Sequence, residues 1–498
     1  MKRWIIFLFV SLWCENVFAQ VDDFKIEEDT WMMIKLHGKR IGFLHEVVSR
    51  RATPNGDEWK TEHYQKFKFQ RLDSQVDMET VSSVIEDAQG VVLNFETKTE
   101  GAGTHLSTRG KREGDFIAIE GENKKYAVPA TAIGPAAFDR TLRQTPLESG
   151  KYYDTQAFFA DFPQAPAQIH AEVKGLETVV IEGEPRQLWK VEATSSLFPE
   201  IVSTTWFDQN FKPQYTLLPF LSLGTLEQIV TTRERAMQPL EGAEIFSRTL
   251  IQPDKPLGNV KKFQKAVYRL KLDSPGKFPL WSENEQRIVS SKKGEAEISV
   301  TLPEYEEPSI TRRLPYTGSK PMNEYLQATP CLEVNDPAII ELAKQAVGDE
   351  KHPLRAAKKI EHFVRNYIKI KDLSTGFATA AETAKTATGD CTENALLAAA
   401  LGRAVGLPTR IVVGLAYLDE VDKEDATGGK FGFHLWAEAW MDENIWYPMD
   451  SALSGFDVGH IAIAKIPATG SNPLLELSIP IMRMIESLKV EVVSAEIQ

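Results

Sequence analysis

Cysteine is scarce in this chain: three residues in 498, at Cys14, Cys331 and Cys391. An oxidising compartment could pair two of them, but so thin a supply excludes a disulfide framework. Long apolar runs are scarcer still. The most concentrated one, Trp4 to Trp13, spans ten residues, whereas a bilayer crossing needs about 20. Positive charge is also in deficit, with 57 Lys and Arg against 70 Asp and Glu and a net charge of −13. With no basic stripe to offset it, an acidic chain repels polyphosphate, which excludes a nucleic-acid partner. No exact repeat and no calcium-loop pattern occurs, so no metal and no other cofactor is expected.

What is present is ordinary globular material: 42% hydrophobic and 26% charged residues, enough to fill several cores and too apolar for disorder. At this length two or three domains are expected. Residues 1–19 have the layout of a secretory signal peptide: Lys2 and Arg3, the short apolar run, then Val17-Phe18-Ala19 with small residues at the two positions a signal peptidase reads. The bulky Trp13 before Cys14 argues against lipidation. Cleavage would remove Lys2, Arg3 and Glu15 and leave a charge of −14. The expectation is an exported protein, periplasmic or secreted, with no transmembrane segment after cleavage and an oligomeric state left open.

Residues 20–235 predict an antiparallel, all-β domain, a sandwich or half-barrel. Trp31–His37 and Ile41–Val48 flank Gly38 as a hairpin. Thr61–Gln70, Val91–Thr99, Phe116–Glu120, Glu177–Ile181, Gln187–Ala193 and Ile201–Phe207 repeat the rhythm, punctuated by Gly or Pro. Residues 236–325 add strand patterns broken by prolines, a small β domain or a linker. Residues 326–498 change character. Asp336-Pro337 starts a helix, and Pro353–Ile368 spaces Ile360, Phe363, Val364 and Tyr367 for a second.

The chemistry-bearing segment follows. In Gly389-Asp390-Cys391-Thr392-Glu393, Asp390 suits an N-cap and Glu393 completes a capping box. Ala395 to Leu401 continue as a buried helix closed by Gly406 and Pro408. Cys391 thus falls on a helical first turn, where partial positive charge stabilises a thiolate and amide groups can stabilise an oxyanion. Downstream, Phe433–Trp440 and Ile445–Asp450 read as strands around a three-residue turn, Asp442-Glu443-Asn444. In that register Met441 faces Ile445, Trp440 faces Trp446 and Trp436 faces Asp450. His434, two residues further on the same face, is then a diagonal neighbour of Asp450 at roughly 7 Å between backbones. A carboxylate there holds one imidazole nitrogen and frees the other to take the Cys391 proton.

The Gly389–Glu393 block, Arg403–Arg410, His434-Leu435-Trp436-Ala437-Glu438 and Trp446-Tyr447-Pro448-Met449-Asp450 together resemble the bacterial transglutaminase-like superfamily, over roughly Asp336 to Ile466. The resemblance implies a papain-like α+β core with Cys391, His434 and Asp450 as catalytic triad. It also implies attack on an amide carbonyl of protein or peptide through a thioester, as protease, amidase or acyltransferase. Hydrolysis is slightly preferred over crosslinking. Trp436, nearest the site, and Glu438, on the His434 face by alternation, are the candidate substrate contacts. His460 reads as the end of a loop, with a supporting role beside the triad as the lesser alternative, and Cys331 reads as a bystander. The alternative is a non-catalytic envelope binding or scaffold protein, using its β domain and a peptide-binding cleft.

Overall fold

The computed structural model describes residues 23–497, except 122–123, 145–146, 220–222, 273–279, 284, 318–319, 372, 420–427, 443–444, 454, 469–476 and 478–487. The expected signal peptide and Cys14 lie outside the described residues.

Residues 25–231 form one continuous sheet. Its centre is Lys25–Leu36, from which strands are added in two directions. On one side run Lys39–Thr53, Gly56–Arg71, Ser74–Asp87, Val92–Gly101, Thr104–Glu113, Phe116–Ile119 and Lys125–Ala127. On the other run Thr225–Thr231, Pro213–Pro219, Phe198–Phe207, Glu184–Ser195, Ala167–Ile181, Tyr152–Ala157 and Ala132–Ile133. Pairing is antiparallel apart from two short pairs: Ala132–Ile133 with Tyr152–Ala157, and Ala243–Glu244 with Gly56–Arg71. Local chemistry explains the hairpins. His37 and Gly38 both have positive φ, 53° and 75°, which a two-residue turn matched to strand twist requires. The sheet curls on itself, because Val91 bridges Ile133 and the Gly134 N–H donates to the Gly90 carbonyl at 2.8 Å. Helix α1, Pro135–Arg143, lies inside the curl, and the short helix α2, Arg233–Ala236, follows the last strand.

A second sheet orders its strands Gln286–Lys292, Glu295–Thr301, Phe263–Lys271 and Lys489–Ile497. The piece between the large sheet and the helical region is therefore completed by the C-terminal strand.

Four helices and a third sheet make the remaining unit: α3 Pro337–Val347, α4 Pro353–Tyr367, α5 Ala380–Thr386 and α6 Cys391–Ala404. The strands are ordered Ile445–Met449, Lys430–Asp442, Thr409–Leu418, His460–Ile466. An all-β antiparallel region followed by an α+β unit is the architecture the sequence predicts. Helix α6 is central, with Leu396, Leu397 and Leu401 fully buried among the other helices and the sheet. Each such side chain contributes about 2–3 kcal/mol relative to an exposed one. The sheet's other side packs against the second sheet through Tyr268, Phe431 and Ile463.

An ionic cluster sits at this junction. Glu438 is fully buried and bonds Arg410 Nε at 2.7 Å and Lys465 Nζ at 3.0 Å. Glu283 bonds Arg410 at 2.7 Å, and Glu285 bonds Lys465 at 3.3 Å. Burial and the neighbouring Glu438 push the Glu285 carboxyl up to about 8. Replacing Glu438 by Ala removes the one carboxylate that bonds both cations and leaves Arg410 with Glu283 and Lys465 with Glu283 and Glu285. The expected loss is about 3–5 kcal/mol, read as a fall in the urea midpoint, while Glu62→Ala on the outer sheet stays close to the parent.

Candidate active site

Local sequence builds the first turn of α6. The Asp390 side chain accepts from the Thr392 N–H at 3.1 Å, and the Glu393 carboxylate accepts from the Asp390 N–H at 2.8 Å, closing a capping box. Glu393 also accepts from the Ala378 N–H at 2.9 Å, tying the preceding loop to the helix. The fold-back of Glu393 explains Gly389. Its φ is +155°, and a Cβ there would lie 2.2 Å from the Glu393 Cβ.

Cys391 is half-buried at the start of this helix, and its sulfur accepts from the backbone N–H of Leu435, the residue after His434. Desolvation and the Asp390 carboxylate push the thiol pKa up, with Glu393 adding to them; the Leu435 N–H and Arg71 pull the other way. The helix terminus, which favours a thiolate by about 0.3–1 kcal/mol at ordinary sites, is thus opposed by desolvation and two nearby carboxylates.

Asp450 and His434 meet as the strand register requires. Trp440 pairs with Trp446, Glu438 with Pro448 and Ala437 with Met449. The turn itself differs from the expected one: Ile445 pairs with Asp442 rather than Met441, across a bulge, and residues 443–444 of that turn lie outside the described residues. The bulge absorbs the extra residue, so the pairing beyond Trp440 is unchanged. His434 Nε2 lies 3.0 Å from Asp450 Oδ2, both side chains buried.

His460 joins them. Its Nε2 lies 2.9 Å from the same Asp450 Oδ2, and its Nδ1 lies 3.0 Å from Asp457 Oδ1. Asp450 Oδ1 accepts from the Ala452 and Leu453 N–H groups at 2.9 and 3.2 Å. Arg365 of α4 donates to the Asp450 carbonyl at 3.1 Å and to Glu361 at 2.8 Å. Burial opposes ionisation of Asp450, but the two imidazoles outweigh it and hold the carboxyl well below the usual range. Burial likewise works against a charged His460, yet Asp450 and Asp457 push its pKa to about 9.

Trp436 and Glu438, the two candidate substrate contacts, are 1% and 0% exposed. Trp436 packs with Val412, Ala462 and Phe456, and its ring needs Gly414, where a Cβ would lie 2.8 Å from it. Cys331 is buried, with Thr329 Oγ1 3.6 Å from its sulfur, and both described cysteines are free thiols. The sequence reading missed Arg71. From the end of an N-terminal strand it donates to Asp390 Oδ2 at 2.7 Å and to the Thr375 carbonyl at 2.8 Å. The Gly376 N–H reaches the Ala102 carbonyl at 2.7 Å. Two hairpin ends of the large sheet therefore rest on the loop leading to Cys391. No local signal marks Arg71, because 319 residues separate it from Asp390.

His434, Asp450 and His460 also have the side-chain types of a metal site, with ligand atoms within 4.8 Å of one another. Each of those atoms is already engaged in the hydrogen bonds above.

Residues 340–451 match the family model for the transglutaminase-like superfamily. The chain thus carries a domain of that superfamily, a class of cysteine enzymes. An uncharacterized protein of Haemophilus influenzae is 26% identical over 212 residues, covering 38% of this chain and 55% of the relative. The match spans about half the length of that curated relative. Among solved structures, a candidate cysteine protease of Cytophaga hutchinsonii is 14% identical, with a TM-score of 0.33 over 47% of this chain and 87% of its own. A β-barrel-like protein of a domain of unknown function, from Brucella abortus, is 12% identical, with a TM-score of 0.31 over 42% of this chain and 98% of its own. Likenesses at those TM-scores decide nothing about activity.

His460 supplies a pH test. Its folded pKa of about 9 exceeds the ordinary 6.5, so its contribution to stability is whole below pH 6.5 and disappears as pH rises through 9. The unfolding free energy of the parent minus that of His460→Gln should shrink by up to about 3 kcal/mol across that window. Denaturation at stepped pH reads this directly.

Proposed function

We propose that this protein is an exported cysteine enzyme that cleaves an amide bond of a protein or peptide through a thioester on Cys391. The observation that carries the reading is the hydrogen-bonded His434–Asp450 pair, with the residue after His434, Leu435, donating its N–H to the thiol on a helical first turn. With His434 Nε2 bonded to Asp450, Nδ1 is the nitrogen left to receive the thiol proton. The sulfur bonds to the carbonyl carbon as His434 takes the thiol proton, and charge develops on the carbonyl oxygen. The C–N bond then breaks as His434 returns that proton to the leaving amine. Water attacks the thioester, gives one proton to His434, and releases the acid and the thiol. An amine in place of water gives a new amide. Hydrolysis is the reading preferred here.

Asp450 orients the imidazole and stabilises its charged form. His460 fixes Asp450 from the other side.

An alkyne-tagged iodoacetamide tests the site in a Cys331→Ser background. The expected result is labelling of Cys391 that falls roughly tenfold or more in His434→Ala, a barrier change of about 1.4 kcal/mol or more. Peptide-library cleavage should disappear in Cys391→Ala. Labelling indifferent to His434, together with cleavage that survives in Cys391→Ala, would sink the reading. The raised thiol pKa favours a second reading, a peptide-binding cleft without turnover, which an unlabelled Cys391 and absent cleavage would support.

Export rests on the layout of residues 1–19. The expected check is a mature chain beginning at Gln20, seen by intact mass in the periplasmic or secreted fraction. A full-length chain confined to the cytoplasm would refute it.

A further inference from the structure

The curled N-terminal sheet encloses a cavity of about 500 Å³, within the range of small-molecule sites. One wall comes from Lys39–Thr53, Gly56–Arg71 and Ser74–Asp87, the other from strands between Tyr152 and Pro219, with α1 across the space. Phe138, Phe158, Val191 and Phe207 contribute apolar surface, and none of Cys391, His434 or Asp450 borders it. The site is therefore independent of the enzyme reading above.

The cavity is not uniformly apolar. Glu46, His63, Asp139 and Asp161 also line it. His63 Nε2 is engaged with Glu46 Oε2 at 2.6 Å. Arg143, the guanidinium that acts on Asp139, is held by both carboxylate oxygens of Glu28, one at 2.8 Å. Each nearby cation thus already has a carboxylate, and Asp139 comes in addition. Burial pushes the Asp139 carboxyl to about 7, with Glu46 and Glu28 adding and Arg143 and His63 opposing. Burial also raises Asp161, against His63. A desolvated carboxylate without its own cation is costly, and a charged ligand group placed against it recovers that cost.

We propose that this cavity binds a small amphipathic cation, its protonated amine at Asp139 and its apolar body among Phe138, Phe158, Val191 and Phe207. A fatty-acid anion would meet an excess of acid, and a neutral alcohol would leave Asp139 unpaired. The apolar wall supplies affinity and the carboxylate supplies the choice of head group.

Calorimetric titration of the full chain with dodecylamine, dodecanol and dodecanoate, each below its micelle concentration, tests this. One dodecylamine per chain should bind, roughly tenfold or more tighter than either comparator. Its affinity should rise as pH increases through 7 and Asp139 ionises, since the amine stays charged throughout. Asp139→Asn, nearly isosteric, should abolish the head-group preference, and the pH dependence left in it reports His63, which lines the same cavity and whose pKa Glu46 raises against burial. Val191→Trp, filling the cavity, should abolish binding. Equal affinity for all three probes, unsaturable uptake, or an Asp139→Asn variant that still prefers the amine would overturn the proposal. If Val191→Trp fails to fold, the Asp139→Asn comparison still decides it.

Discussion

One buried oxygen organises the candidate site. Asp450 Oδ2 lies at hydrogen-bond distance from two imidazoles, His434 at 3.0 Å and His460 at 2.9 Å. A carboxylate removed from water costs several kcal/mol unless paired. Here the pairing comes from both sides, and two backbone N–H groups hold the other oxygen. The carboxylate can therefore stay ionised in a fully buried place. From that follows the orientation of His434, and from His434 the nitrogen available to Cys391. His460 stays charged because it bridges Asp450 and Asp457. That charge shares the Asp450 carboxylate with His434, so the pair is tuned by a third side chain as well as by burial.

Around this centre, each outer part of the chain supplies something the papain-like unit lacks. The large sheet sends Arg71 to Asp390 and the Ala102 carbonyl to Gly376. Arg71 offsets part of the acidic environment that raises the thiol pKa. The second sheet's approach segment sends Glu283 and Glu285 to Arg410 and Lys465 beneath the His434 strand. Because Glu438 completes that cluster, the strand carrying the base is fixed by charges that cannot be removed singly without stranding a partner. Cys391 and His434 are thus held partly from outside the domain that the family model covers.

The thiol illustrates a competition whose outcome depends on magnitudes. A helix terminus and one amide favour thiolate, and Arg71 helps. Desolvation and two carboxylates oppose it. The same capping residues that make Cys391 helical, Asp390 and Glu393, raise its pKa. Local structure and thiol pKa are served by one pair of side chains with opposite effects.

Much of this was legible in the amino-acid order. The hairpin at His37-Gly38, the cap at Asp390, the helix after Cys391 and the diagonal of His434 and Asp450 all rest on short-range rules: strand period two, helix capping, and a turn a few residues long. These operate within about 20 residues and leave a pattern there. The turn at 442–445 shows the limit, since a bulge changed the pairing of Ile445 while leaving the alternation intact. Alternation also put Glu438 on the His434 face, but it says nothing of what covers that face. Cover came from Arg410, Lys465, Glu283 and Glu285, gathered from distant segments. Only the tertiary structure decided Arg71 at Asp390, the desolvated thiol and the acidic cavity. Each depends on which remote surface excludes water from a group, and local sequence carries no record of that.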